Sequence, residues 1–164
     1  MQILHILNEI RNIGNGIANV AVDLACLQSQ DGHTVAVTSA GGEYEELLSH
    51  YGVRHFELDQ SRTLTNLLKA PWRYRAIINE FQPDIVHAHM MTGVILASFL
   101  RVGTKYRLIS TVHNEFQQSS IVMGLADRVI AVSKAVAQSM QKRGIPQRKL
   151  RVVQNGPLGS PRTR

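Results

Sequence analysis

Cysteine is nearly missing from this 164-residue chain, where Cys26 stands alone. A single thiol excludes an internal disulfide and fits a reducing compartment. Its place in a helical pattern suits a small core residue. Long apolar runs are missing as well, and none approaches the ~20 residues that span a bilayer. The opening Met1-Gln2-Ile3-Leu4-His5-Ile6-Leu7 has no basic n-region and no small-residue cleavage site, so no signal peptide is expected. Aromatic residues are few: one Trp, four Phe and four Tyr, and the Phe and Tyr do not interleave with the basic residues clustered near the C-terminus. That argues against a stacking platform for single strands, and with no recognised motif beside the charge, nucleic acid is not an expected partner. Several chemistries are excluded in the same way. There is no G-x-S-x-G nucleophile elbow. No pair of carboxylates sits at matched strand ends, as two-carboxylate glycoside hydrolysis requires. Internal repeats and low-complexity tracts are also lacking.

What is present is an apolar fraction of 44% and a net charge of +6 that is unevenly spread. Seven of the 18 basic residues (Lys142, Arg143, Arg148, Lys149, Arg151, Arg162 and Arg164) fall in the last 23 positions. Such a run suits nucleic acid, an anionic membrane surface or a phosphorylated ligand, and its plain reading is a solvated face near a domain edge. The length fits one domain with a real core.

Hydrophobic periodicity reads as strands alternating with helices. Strands are expected over 2–7, 34–38, 53–58, 85–89, 107–112, 128–132 and 150–153. Helices are expected from Ile17 to about Gln30, over 43–51, 63–81 and 93–102, in a short piece at 119–125, and from a Ser133 N-cap to Arg143. Pro71 falls inside the fourth-strand crossover helix, where it predicts a kink or a break. The apolar positions of that helix are Leu64, Leu67, Leu68, Trp72, Ile77 and Ile78, with Lys69, Arg73 and Arg75 beside the Trp. A basic helix bearing a Trp can lie on a membrane, but a βαβ crossover needs the same stripe. Seven alternating strands imply an α/β fold, a mostly parallel doubly wound sheet with helices on both faces. The first and fourth strands are then central neighbours, and the turn Asn8–Gly16 faces the turn His89–Thr92 across the switch point where such sheets bind ligands.

The polar signals gather at strand ends. Pro83-Asp84-Ile85-Val86-His87-Ala88-His89 is an apolar strand ending in histidine. Ile13-Gly14-Asn15-Gly16-Ile17 follows a strand and opens a helix, a place for backbone to approach an anion. It is neither a dinucleotide fingerprint, since Asn19 replaces the third glycine, nor a P-loop. His87 and His89 share a strand face, and His113 ends the next strand. Three histidines could ligate a metal, but no Cys or carboxylate cluster completes the set and no metal is expected. His113 with Asn114 and Glu115 is the better candidate for polar work on a ligand. Asp127, at the opposite end of the sheet, reads as structural.

Six segments in order resemble the N-terminal domain of the family 4 glycosyltransferases, which have the two-domain GT-B fold. They are the loop Gly14–Gly16, Asp31-Gly32-His33-Thr34-Val35, Pro83–His89, Ser110-Thr111-Val112-His113-Asn114, Ala126–Ser133 and Val152-Val153-Gln154-Asn155-Gly156. The resemblance implies a Rossmann-like acceptor-side domain over residues 1–156, the start of an interdomain linker at 157–164, and a C-terminal donor-binding domain that this sequence does not supply. It implies retaining transfer of a sugar from a nucleotide-sugar to a saccharide or lipid-linked acceptor, in cell-surface polysaccharide or glycolipid synthesis, with no metal or other cofactor. On that footing His113 is the catalytic candidate. Gly14, Asn15, Gly16, His89, Thr92, Asn114 and Glu115 are the substrate-binding candidates. The expected location is cytoplasmic, with peripheral contact at the membrane face. Alternatives are a binding module that recruits a separate catalytic chain, and a nucleotide-sugar epimerase-like enzyme. Without its second domain the chain is expected to be inactive.

Overall fold

Short β-branched and apolar runs flanked by glycine turns form strands because their side chains fit a pleated sheet buried on both faces. The computed structural model describes residues 1–61, 63–114, 118–156 and 159–163. Its strands are β1 (Gln2–Ile6), β2 (Thr34–Ser39), β3 (Arg54–Glu57), β4 (Ile85–Ala88), β5 (Arg107–Val112), β6 (Arg128–Ala131) and β7 (Leu150–Val152). The helices are α1 (Gly16–Gln30), α2 (Glu45–His50), α3 (Leu64–Phe81), α4 (Met91–Phe99) and α5 (Lys134–Lys142), with a 3-10 segment over Gln118–Leu125 between β5 and β6. All seven strands run parallel in the order β3-β2-β1-β4-β5-β6-β7. The doubly wound α/β architecture is therefore as expected, and order reverses between β1 and β4, whose register pairs Leu4 with Val86 and His5 with His87.

Two apolar layers flank the sheet. One packs Leu7, Ile10, Ala18, Val22, Cys26, Val35 and Val37, with Leu48 of α2. The other packs Leu4, Ile6, Phe56, Tyr74, Ile77, Val86, Val94, Leu108, Val129 and Met140. Ser133 caps α5, accepting from Val136 N at 3.1 Å, as its position predicts. Asp127 is also where it was placed. At the amino edge of the sheet it takes two bonds from the Arg101 guanidinium (3.2 and 3.0 Å) and one from Leu108 N (2.9 Å). Burial pushes this carboxyl up, but those donors hold it below its ordinary range.

Three expectations need correction. Helix α3 runs unbroken through Pro71, because its second half is anchored by buried Tyr74, Ile77, Ile78 and Phe81, and Tyr74 donates to Tyr106 Oη at 3.0 Å. Leu68 and Trp72 are not part of the packed stripe but stand 73% and 80% exposed. The basic C-terminal run is the expected solvated face only in part: Lys142, Arg148 and Arg151 are exposed, but two of its members are turned inward. Lys149 donates to the Gly124 and Ala126 carbonyls (both 2.9 Å), and Arg162 forks onto Asp23 (3.0 and 2.9 Å). Ser160 joins Arg162 on the same carboxylate, so residues 159–163 lie back against α1.

Candidate functional site

Right-handed crossovers bring the exits of β1, β4 and β5 to one edge of the sheet, and a cavity of about 250 Å³ lies there. Asn8 and Ile17 line it from the β1 side. His89, Met90, Met91 and Thr92 line it from the β4–α4 turn, and Thr111, Val112, His113 and Asn114 from the end of β5. Ser120 and Met123 close it from the 3-10 segment, which Ser110 holds by donating to the Met123 carbonyl at 2.8 Å. The two turns expected to face each other do so, and Thr92 Oγ1 donates to Asn8 Oδ1 across the switch point at 2.7 Å.

Beneath the cavity lies a buried histidine cluster. His5 Nε2 meets Gln28 Oε1 at 2.8 Å, and His5 Nδ1 meets His89 Nε2 at 3.0 Å. A carbonyl oxygen only accepts, so His5 donates to Gln28, and its Nδ1 accepts from His89 Nε2–H. His89 Nδ1 is then a bare lone pair, buried and without a partner among the described residues. His87 is held separately, by Thr111 Oγ1 at 2.7 Å. His113 lies beside His89 with ring centroids 5.8 Å apart, and its Nε2 is also buried and unpartnered among the described residues.

Burial sets the protonation of the whole group. It pushes His113 down to about 4, and His5 to about 4 against the upward pull of the Gln28 bond. Burial first, then the neighbouring rings, lowers His87 and His89 well below the ordinary histidine range. All four are neutral imidazoles near pH 7, able to accept one hydrogen bond and donate another. Ring nitrogens of His5, His87 and His89 come within 4.8 Å of one another and form the one candidate metal group among the described residues. The sequence pointed instead to His87, His89 and His113.

Of the candidate binding residues, His89, Thr92 and Asn114 line the cavity with His113. Glu115 lies outside the described residues. Gly14, Asn15 and Gly16 sit next to the cavity in sequence but do not line it. Asn15 caps α1, its Oδ1 accepting from Ile17 N at 3.0 Å. Gly14 has φ +74°, and a Cβ placed on Gly14 or Gly16 would meet nothing within 4 Å. Sequence reasoning missed Asn8, His5 and Gln28. A polar residue two positions past a strand could have flagged Asn8. His5 looks like one polar residue inside an apolar strand, and only the register with β4 reveals its role.

Known proteins share this fold. No curated protein matches the sequence significantly, but solved structures match the fold. A glycosyltransferase from Rickettsia africae superposes with a TM-score of 0.75 at 22% identity, over 94% of this chain and 43% of its own. Anabaena HepE, solved in complex with UDP and glucose, gives 0.73 at 19% identity, over 95% and 45%. The lipopolysaccharide outer core galactosyltransferase WaaB gives 0.75 at 18%, over 94% and 46%. This chain thus spans less than half the length of each. The sequence pattern of Glycosyltransferase Family 4 matches residues 14–156, nearly the whole chain, and the protein belongs to that family.

Proposed function

We propose that the chain is the acceptor-side half of a retaining glycosyltransferase that moves a sugar from a nucleotide-sugar to a saccharide or lipid-linked acceptor. The observation that carries this reading is the convergence of His89, Thr92, His113 and Asn114 on one cavity at the switch-point edge, with ring nitrogens of His89 and His113 left without partners among the described residues. At about 250 Å³ the cavity is smaller than the roughly 300–1,000 Å³ typical of ligand sites. A second domain supplying the nucleotide site would complete it, which agrees with the partial coverage of the structural neighbours.

In this reading the neutral His113 hydrogen-bonds the transferred sugar and polarises it as charge develops, without acting as a nucleophile. Asn114 and Thr92 orient hydroxyls. The open backbone at Gly14 and Gly16 lies toward the donor phosphates, near the N-terminus of α1. No residue of this half is assigned to a metal, and the reaction needs none. No helix among the described residues is long and apolar enough to cross a membrane. The assigned location is cytoplasmic, with the membrane face as the place of work.

The test is transfer by the protein carrying both domains, assayed against a panel of UDP-, GDP- and ADP-sugars, with the anomeric configuration of the product read by NMR. Retention is the expected outcome, and His113→Ala should lower turnover on the order of a hundredfold or more, the scale of a lost transition-state donor. Unchanged turnover in that variant would remove His113 from the chemistry. The 164-residue chain alone should show no turnover.

A further inference from the structure

Beside the cleft, between the first halves of α3 and α4, lies a larger groove of about 680 Å³. Thr92 lines both spaces, so the groove continues directly from the cleft. Its wall is graded. The end at the β3–α3 loop is polar, with Gln60, Ser61 and Asn66, while Ala70, Pro71, Ile95 and Leu96 form the stretch further from the sheet edge. Asn66 already donates to Asp59 Oδ2 and Ser61 Oγ, at 2.6 and 2.7 Å, so this polar end is preorganised. No carboxylate lines the groove among the described residues.

Proline explains itself here. At position 71 it removes one helical hydrogen bond and costs α3 stability, yet it offers a rigid apolar ring to the groove where a peptide N–H would otherwise stand. The same two helices also carry exposed apolar side chains outside the groove lining, Leu68 at 73% exposure, Trp72 at 80% and Phe99 at 72%. Exposed apolar area of this kind on a polar-rimmed cleft marks a binding surface.

We infer that this groove holds the hydrocarbon chain of an amphiphilic acceptor whose polar headgroup sits in the cleft past Thr92. The inference rests on the transferase reading and narrows its substrate class to lipid-linked acceptors. Its support is the continuity of groove and cleft, and the polar-to-apolar gradient that runs away from the reacting end. An acceptor that was saccharide throughout would leave the apolar stretch without an occupant.

The chain supplies its own reporter, since Trp72 is the only tryptophan and follows Pro71 of the groove wall. Farnesyl phosphate, titrated below its critical micelle concentration, should give a saturable blue shift of the Trp emission. Amide shifts at Ala70, Ile95 and Leu96 should move with the same midpoint. Glucose and inorganic phosphate should give neither. Farnesol, which keeps the chain and loses the anion, should bind more weakly but at the same amides. Ile95 is 42% exposed, so Ile95→Lys preserves the fold, and it should weaken binding at least tenfold; Ile95→Ala should weaken it only a few-fold. Absence of saturable binding, equal binding by Ile95→Lys, or a response only to vesicles of anionic phospholipid would overturn the inference. The last result would make the Leu68–Trp72 surface a membrane contact instead. If the two-domain protein glycosylates a water-soluble disaccharide as well as any lipid-linked one, and Ile95→Lys leaves both rates intact, the groove assignment falls while the transferase reading stands.

Discussion

Carboxylates accept from backbone N–H groups at both edges of the sheet, as Glu43, Glu45 and Asp59 do in the loops after β1, β2 and β3, but the two edges differ in the buried groups they leave open. At the amino edge, carboxylates meet backbone donors: Asp84 Oδ2 accepts from Gln2 N at 2.7 Å, and Asp127 takes Leu108 N together with the Arg101 fork. At the carboxyl edge, groups remain open. Of the five buried side-chain atoms without partners among the described residues, four lie here, Thr38 Oγ1, Gln60 Oε1, His89 Nδ1 and His113 Nε2, and the fifth is Ser98 Oγ near the end of α4. A buried unpaired group costs roughly 1–3 kcal/mol, so a fold built for stability alone would pair them. The difference teaches that one edge stabilises the sheet and the other holds valences for a ligand.

The sharpest way to break this comparison is acid. The four clustered histidines are neutral in the folded protein, their pKa values lowered by burial, with His5 and His113 at about 4. In the unfolded chain each has an ordinary value near 6.5. Above that pH neither state binds the proton, and the full stability is present. Below it the unfolded chain takes up protons that the folded chain refuses, so stability falls between about pH 6.5 and 4. The slope is about 1.4 kcal/mol per pH unit for each histidine fully involved. Urea midpoints across this range should therefore fall steeply, and His5→Gln should make the decline shallower. A flat profile would mean that the cluster is hydrated and takes up protons in the folded protein as readily as in the unfolded chain.

Next comes the amino edge itself. Asp127→Ala leaves Leu108 N–H and the Arg101 guanidinium without their acceptor and should cost about 3 kcal/mol in urea unfolding. Nucleotide-sugar turnover in the two-domain protein should be unchanged per folded molecule. Loss of turnover at constant stability would place function on the wrong edge.

A smaller effect sharpens the same contrast. Thr92→Val keeps the shape of the side chain and removes the 2.7 Å bond to Asn8. Stability should drop by only about 1 kcal/mol, whereas affinity for an acceptor analogue should fall further than that figure, because the turn carries His89 as well. If the two losses are equal, the bond is simply structural.

How much of this was legible in the sequence follows from range. The strand–helix alternation, the β1–β4 adjacency, the Ser133 cap and the structural role of Asp127 rest on local pattern and on chirality, which act on a few residues at a time. His89, Thr92, His113 and Asn114 were found because they end strands, and strand ends converge by topology. His5 and Gln28 were not found. Their meaning depends on a register that joins residues 23 and 84 positions apart. Trp72 was counted in the apolar stripe of its helix, because periodicity reports a stripe without saying where along the helix the sheet stops covering it. Beyond the first half of α3 lies a groove instead of a packed neighbour.

The smallest expected change in stability separates ligand-driven from fold-driven sequence most cleanly. At Gly42, with φ +150°, an added Cβ would lie 2.5 Å from the Ile10 carbonyl, and at Gly93 it would press on the Ile6 side chain at 3.0 Å. The fold itself demands glycine at Gly42, and at Gly93 it favours glycine as far as the Ile6 side chain cannot give way. Gly16 is different, because it opens α1 without a left-handed φ, and its added Cβ would touch nothing within 4 Å. Gly16→Ala should therefore leave stability unchanged or raise it by up to about 1 kcal/mol, since alanine costs less chain entropy in a helix. If donor phosphates approach the backbone at this turn, the same methyl group obstructs them, and the two-domain protein should show a several-fold higher KM for the nucleotide-sugar with KM for the acceptor unchanged. A rise in acceptor KM instead would move the donor away from α1. An unchanged pair would leave this turn as helix-start geometry alone, with the open valences of His89 and His113 as the whole of the site on this half.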